Sequence, residues 1–196
     1  TARVSRLICG DVHPITGNVA GGNGGGLFAS NSWVELKGGQ FAHNRATNTL
    51  GYPYGLGGGL FIDDGYLLIT NSLDYDGYEI PLFWGNEAST NDGYAGAIFW
   101  GLSAMVAVHQ AVFTNNGAYI CGAVVAGSTS ALFLMDNEFR NNTVTRDGGA
   151  LYLFGNLTII QQCLFEGNYA DGDGGSIHAS SGTILELENC HLVDNE

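Results

Sequence analysis

The sequence predicts an all-β chain wound as a single-stranded parallel β-helix of about seven coils of about 26 residues. Three observations carry the prediction. A hydrophobic-x-x-Asn motif recurs at Ile15/Asn18, Phe41/Asn44, Phe83/Asn86, Phe113/Asn116, Phe139/Asn142, Phe165/Asn168 and Leu192/Asn195. A Gly-small-aliphatic motif interleaves with it, ending at Leu27, Leu60, Ile98, Val124, Leu151 and Ile177. Two aliphatic positions stand seven and five residues before the first motif, as in Val34/Leu36, Val106/Val108, Leu132/Leu134, Thr158/Ile160 and Leu185/Leu187.

Each unit thus holds three short segments of period 2, parted by Gly, Asn and Asp. Period 2 means strand, and segments of three to six residues are too short for helices. A strand this short buries no face alone but does so when stacked on its equivalent one coil on, giving three parallel sheets. Gly serves the corners because it reaches conformations closed to other residues. Asn18, Asn44, Asn86, Asn116, Asn142, Asn168 and Asn195 are expected to stack as an amide ladder at one corner, Asn also tolerating the left-handed region. The Leu27 to Ile177 column is expected to face inward, with Ala29, Ile62, Trp100, Ala126, Leu153 and Ala179 as the next inward column.

The residue between these two columns is Phe28, Phe61, Phe99, Val125, Tyr152 or His178. Facing outward, these form an apolar stripe, the candidate lateral interface. The repeat is broken by insertions in the coils spanning residues 45–95, where Phe41 and Phe83 lie 42 apart instead of 26. Insertions in a solenoid become loops, and these carry Tyr52, Tyr54, Asp74, Tyr75, Asp76, Tyr78, Trp84 and Tyr94 as a candidate binding surface. Cys163 and Cys190 occupy equivalent positions 27 residues apart, so their backbones stack at about 4.8 Å, within reach of a disulfide. Asn141 and Asn156 head N-x-[ST] sequons, candidate N-glycosylation sites in a secreted chain.

Composition narrows the function. Six basic residues stand against 19 acidic ones, a net charge of -13, which argues against nucleic acid, anionic membranes and polyanionic glycans as partners. No apolar run reaches the length of a membrane span, so direct membrane insertion is not expected. The chain is read as one domain, 1–196, a mature chain or a piece of a longer secreted one. No catalytic residue is assigned. The cations Arg3, Arg6, Lys37, Arg45, Arg140 and Arg146 are scattered, and the adjacent pair Asp63-Asp64 points to opposite faces of a strand unless a corner falls there. His13, His43, His109, His178 and His191 occupy unlike positions in their coils. No metal motif is complete: "GGNGGGLFA" and "DGDGGSIHASSG" each miss carboxylates of the calcium loops they approach, so no cofactor is expected beyond a weak, carboxylate-based calcium site.

Gly-Gly-[Ala/Ser]-aliphatic turns alternating with Phe-x-x-Asn resemble the repeats of the chlamydial polymorphic outer-membrane proteins, over nearly the whole chain. The resemblance implies a right-handed β-helix passenger, extracellular or on the cell surface, acting in adhesion. The expected function is therefore a non-catalytic surface protein: an adhesin, a building block of an extracellular assembly or filament, or both. Its expected partners are other copies, end to end or laterally, and a host or glycan surface. The alternative is a carbohydrate-active β-helix enzyme, a polysaccharide lyase or glycoside hydrolase using carboxylates of the insertion loops.

Overall fold

The computed structural model describes residues 5–9, 14–48, 55–74, 77–89, 91–101, 103–128, 131–155 and 157–196. Its strands stack into a parallel β-helix, with no helix among the described residues. Seven strands that open the hydrophobic-x-x-Asn segments, from Ile15–Thr16 to His191–Val193, form one sheet and mark seven coils. A second sheet holds both other predicted columns. In two coils they are a single bent strand, Leu27–Lys37 and Leu60–Thr70; later coils split it, as in Ile98–Trp100 and Ala104–His109. A third sheet consists of two-residue strands just after each Asn, such as Thr143–Val144 and Tyr169–Ala170. These were too short to carry a period of their own. Part of the insertion forms an antiparallel hairpin, Ser72–Asp74 with Gly77–Glu79.

The corner before each ladder Asn uses one residue with positive φ. Before the ladder Asn stand Gly17, His43, Gly85, Asn115, Asn141, Gly167 and Asp194, with φ between 50° and 67°. The left-handed turn is thus made by the residue preceding the ladder Asn, and the Asn itself is left to hydrogen-bond. Its Oδ1 accepts two bonds from the preceding Asn. For Asn142 these come from the backbone N–H and Nδ2 of Asn116, at 3.1 and 3.0 Å. Its Nδ2 donates to Asn168 Oδ1 at 2.9 Å and to the Phe113 carbonyl at 3.0 Å. Asn44, Asn86, Asn116, Asn142 and Asn168 are fully buried with these groups satisfied, and Asn18 and Asn195 end the ladder.

Inside, Phe41, Phe83, Phe113, Phe139 and Phe165 stack with centroids 4.8 to 5.0 Å apart. Burying each ring contributes about 1.5–3 kcal/mol. The predicted inward columns join them in one core, with Trp100 its largest side chain. The Gly-Gly turn is set by close approach: a Cβ on Gly149 would overlap the Gly175 carbonyl of the next coil.

The disulfide expected between Cys163 and Cys190 is not formed; both are free thiols. Their column is a hydrogen-bonding one that begins at Asn137, whose Nδ2 donates to the Val108 carbonyl and whose Oδ1 accepts from the Ala111 N–H. Cys163 Sγ accepts from the Asn137 N–H at 3.4 Å and donates to the Gln161 carbonyl, while Cys190 Sγ lies on the Ile160 and Glu188 carbonyls. The sulfurs are turned onto backbone rather than toward each other. Burial pushes the Cys163 thiol up to about 11 and the fully buried Cys121 thiol further still.

Candidate functional site

The column Phe28, Phe61, Phe99, Val125, Tyr152 and His178 lies in strict register on the outer face of the second sheet. Phe28–Phe61 and Phe61–Phe99 stack at 5.2 and 5.3 Å, and Tyr152–His178 at 4.7 Å. The stripe is only partly open. Phe28 is 54 % exposed, but Phe61 and Val125 are buried. The cover is built by the turns that enter the Gly-small pairs. Tyr94, Ala95, Tyr119, Ile120 and Cys121 pack over Phe99, Val125 and Tyr152 as a second small core, and Leu56, Tyr94 and Ile120 pair as a short parallel ladder. Ala95 and Cys121 take positive φ where other coils have glycine, so the turn conformation is kept while side chains replace hydrogen. The Cys121 thiol is held by the Val124 and Ala150 carbonyls.

Where this cover stops, a cleft of about 330 Å³ opens, walled by Tyr94, Phe99, Val125, Tyr152 and Phe154 and floored by Gly101 and Gly127. Alternation explains it. Two residues after each ring position comes another outward position, and there Gly101 and Gly127 lack side chains while Phe154 has one. That spacing was the available signal for Phe154, Gly101 and Gly127, which sequence reasoning missed. Burial first, and the nearby Asp147 second, raise the Tyr152 phenol, so it enters the cleft as a neutral hydroxyl. A larger, more polar hollow of about 520 Å³ lies between the hairpin and the corner at Gln110, Asp136 and Glu138.

Of the candidate loop residues, Tyr94 lines the cleft, its ring edge-on to Phe99 at 6.3 Å. Trp84 stands on the opposite sheet, exposed, with its ring against His43 at 4.3 Å. Asp74 and Tyr78 belong to the hairpin strands. Tyr52, Tyr54, Tyr75, Asp76 and the sequon residue Asn156 lie outside the described residues. Asn141 is exposed at its corner. Among the described residues, Tyr94 and Trp84 therefore lie on different faces, not in one site.

Asp64 takes φ 48°, the corner that breaks the Asp63-Asp64 pair. Lys37, Arg45, Arg140 and Arg146 each lie beside a carboxylate: Glu35, Glu87, Glu138 with Glu166, and Asp147. The set of metal-ligating groups nearest to one another among the described residues is Asp147, Asp173 and His178, within 4.8 Å. Asp147 already accepts from the Asp173 N–H and pairs with Arg146. A nitrogen ligand and few oxygens fit a transition metal better than calcium.

No curated protein and no solved structure matches the chain. Residues 138–153 and 162–180, which hold the ladder residues Asn142 and Asn168 and the turns at Gly149 and Gly175, match the family model of the Chlamydia polymorphic membrane protein repeat, so this part of the chain is similar to the repeats of that membrane-protein family.

Proposed function

We propose that this chain is a non-catalytic module of an extracellular surface protein, acting in adhesion and as a unit of a surface assembly. The match to a membrane-protein repeat supports a place at the cell surface. The observation that carries adhesion is the cleft between Tyr94, Phe99, Tyr152 and Phe154. Aromatic walls offer large contact area at low entropic cost, with hydroxyls at Tyr94 and Tyr152 to orient a bound group. The acidic chain repels anionic ligands, so the ligand class that fits is an uncharged glycan. A glycan array probed with the purified chain is expected to retain neutral oligosaccharides and not sulfated ones. Tyr152→Ala and Phe154→Ala should each abolish the signal. Binding unchanged in both variants, or no binding, overturns the cleft as the adhesive site.

A further inference from the structure

We propose that the chain forms a two-fold dimer through the outer face of its aliphatic-pair strands, with the order of coils reversed between the copies. The inference rests on the assembly half of the function proposed above and is independent of the cleft.

These strands are apolar on both sides. Their inward residues fill the core; their outward residues form columns fixed by the strand register. One column runs Trp33, Tyr66, Met105, Ala131, Leu157 and Ile184; the next runs Glu35, Leu68, Ala107, Phe133, Ile159 and Glu186. Trp33, Met105, Phe133, Met135, Leu157 and Ile184 are 37 to 62 % exposed. The half-buried positions between these six join them into one continuous apolar face; a standard interface takes about 800 Å² per partner. The largest contiguous apolar patch of a soluble domain is often a functional surface.

Charge selects the occupant. The chain bears 19 carboxylates, yet the four coils from Tyr66 to Ile159 show none in these columns, and the carboxylates sit only in the coils flanking them. Glu35 stands near one end with Lys37, where the strand Ser5–Cys9 pairs beyond it with Arg6 in register with Trp33 and Ile8 with Glu35; Glu186 and Glu188 stand at the other end. Two copies of so acidic a chain can approach closely only through a face without acid. A two-fold axis lying in the face, parallel to the strands, reverses coil order but not strand direction. Centred between the Met105 and Ala131 strands, it sets Met105 over Ala131 and Ala107 over Phe133, a large residue against a small one each time. It sets Tyr66 over Leu157 and Leu68 over Ile159. In the flanking coils it brings Lys37 to Glu188 of the second copy, twice per dimer, and beside the Glu35–Glu186 pair it partly neutralises. Equal coil order would instead reverse strand direction: with the axis over the Phe133 column it sets Phe133 on Phe133, Glu35 on Glu35 and Glu186 on Glu186, and turns Lys37 onto Trp33 rather than onto a carboxylate.

The test is sedimentation equilibrium of the purified chain from about 1 to 200 μM, with far-UV circular dichroism and melting of every variant. The wild type is expected to reach twice the chain mass within this range. Phe133→Glu and Ala107→Glu should each yield monomer with an unchanged spectrum. Lys37→Glu and Glu188→Lys, both at exposed positions, should each weaken the dimer several-fold, and the double exchange should restore it. A wild type that stays monomeric to 200 μM overturns the proposal. So does a dimer indifferent to Phe133→Glu and Ala107→Glu. A dimer that these break but that the charge exchange does not restore overturns the reversed coil order. Glycan binding retained by monomeric Phe133→Glu separates this interface from the cleft, and its loss from a dimeric Tyr152→Ala separates them in the other direction.

Discussion

At the scale of single residues, the coil is specified by groups that have no substitute. Asn142 makes four bonds with one amide, two to the ladder neighbour before it, one to the neighbour after it and one to the Phe113 carbonyl. Asn142→Ala removes all four and strands the backbone N–H and one Nδ2 hydrogen of Asn116 in a dry interior, while the Phe113 carbonyl is left with its strand-ladder bond alone. Each buried unpaired group costs about 1–3 kcal/mol, so the variant should lose roughly 2–4 kcal/mol in a urea titration. Asn142→Asp keeps the acceptor but buries a carboxylate where Nδ2 had donated to a carbonyl, and should be no better tolerated at neutral pH. A loss under 1 kcal/mol in the alanine variant means water enters and takes the amide's place. Glycines separate into two kinds on the same argument. A Cβ on Gly149 meets the next coil's backbone, whereas a Cβ on Gly117 stays 3.6 Å from the nearest atom, the Thr143 carbonyl oxygen, with ordinary φ. Gly149→Ala should therefore destabilise by several kcal/mol or prevent folding, and Gly117→Ala should be neutral or gain about 0.4–1 kcal/mol. Thermal melting of the pair decides it; equal effects would mean the Gly-Gly turn relaxes freely.

At the scale of elements, what was legible followed from period. The hydrophobic-x-x-Asn strands, the Gly-small-aliphatic strands and the aliphatic pairs each repeat near 26 residues, and their stacking gives the observed registers. The two-residue strands at Thr143 and Tyr169 were not legible, because two residues carry no alternation. The stripe from Phe28 to His178 was placed on the correct face, but its cover was not foreseen: Tyr94, Ala95, Tyr119, Ile120 and Cys121 lie in turns whose path no repeat dictates. The outer face of the aliphatic-pair strands left a plain trace that was passed over. Ala131–Met135 reads ALFLM and Leu157–Gln161 reads LTIIQ, without the apolar-polar alternation of a strand with one wet side. Runs of that kind mark strands covered on both faces. The stacked cysteines misled because equivalent position fixes Cα separation but not the direction of Sγ, which here is set by backbone carbonyls.

At the scale of the whole molecule, the balance is between an acidic body and an uncharged face. Two chains of charge -13 repel at a distance, and that repulsion opposes any dimer at low ionic strength. The Debye length is about 30 Å at 0.01 M salt and about 8 Å at 0.15 M, so physiological salt screens charges across the pair but leaves apolar burial intact. The Lys37–Glu188 contacts pull the other way, but exposed pairs contribute at most about 1 kcal/mol each. The dimer should therefore tighten several-fold between 10 and 150 mM NaCl, measured by sedimentation equilibrium, and Lys37→Glu should steepen that dependence by adding two charges per copy to the repulsion. Weakening with salt instead would mean that ion pairs, not the apolar face between Trp33 and Ile184, hold the copies together.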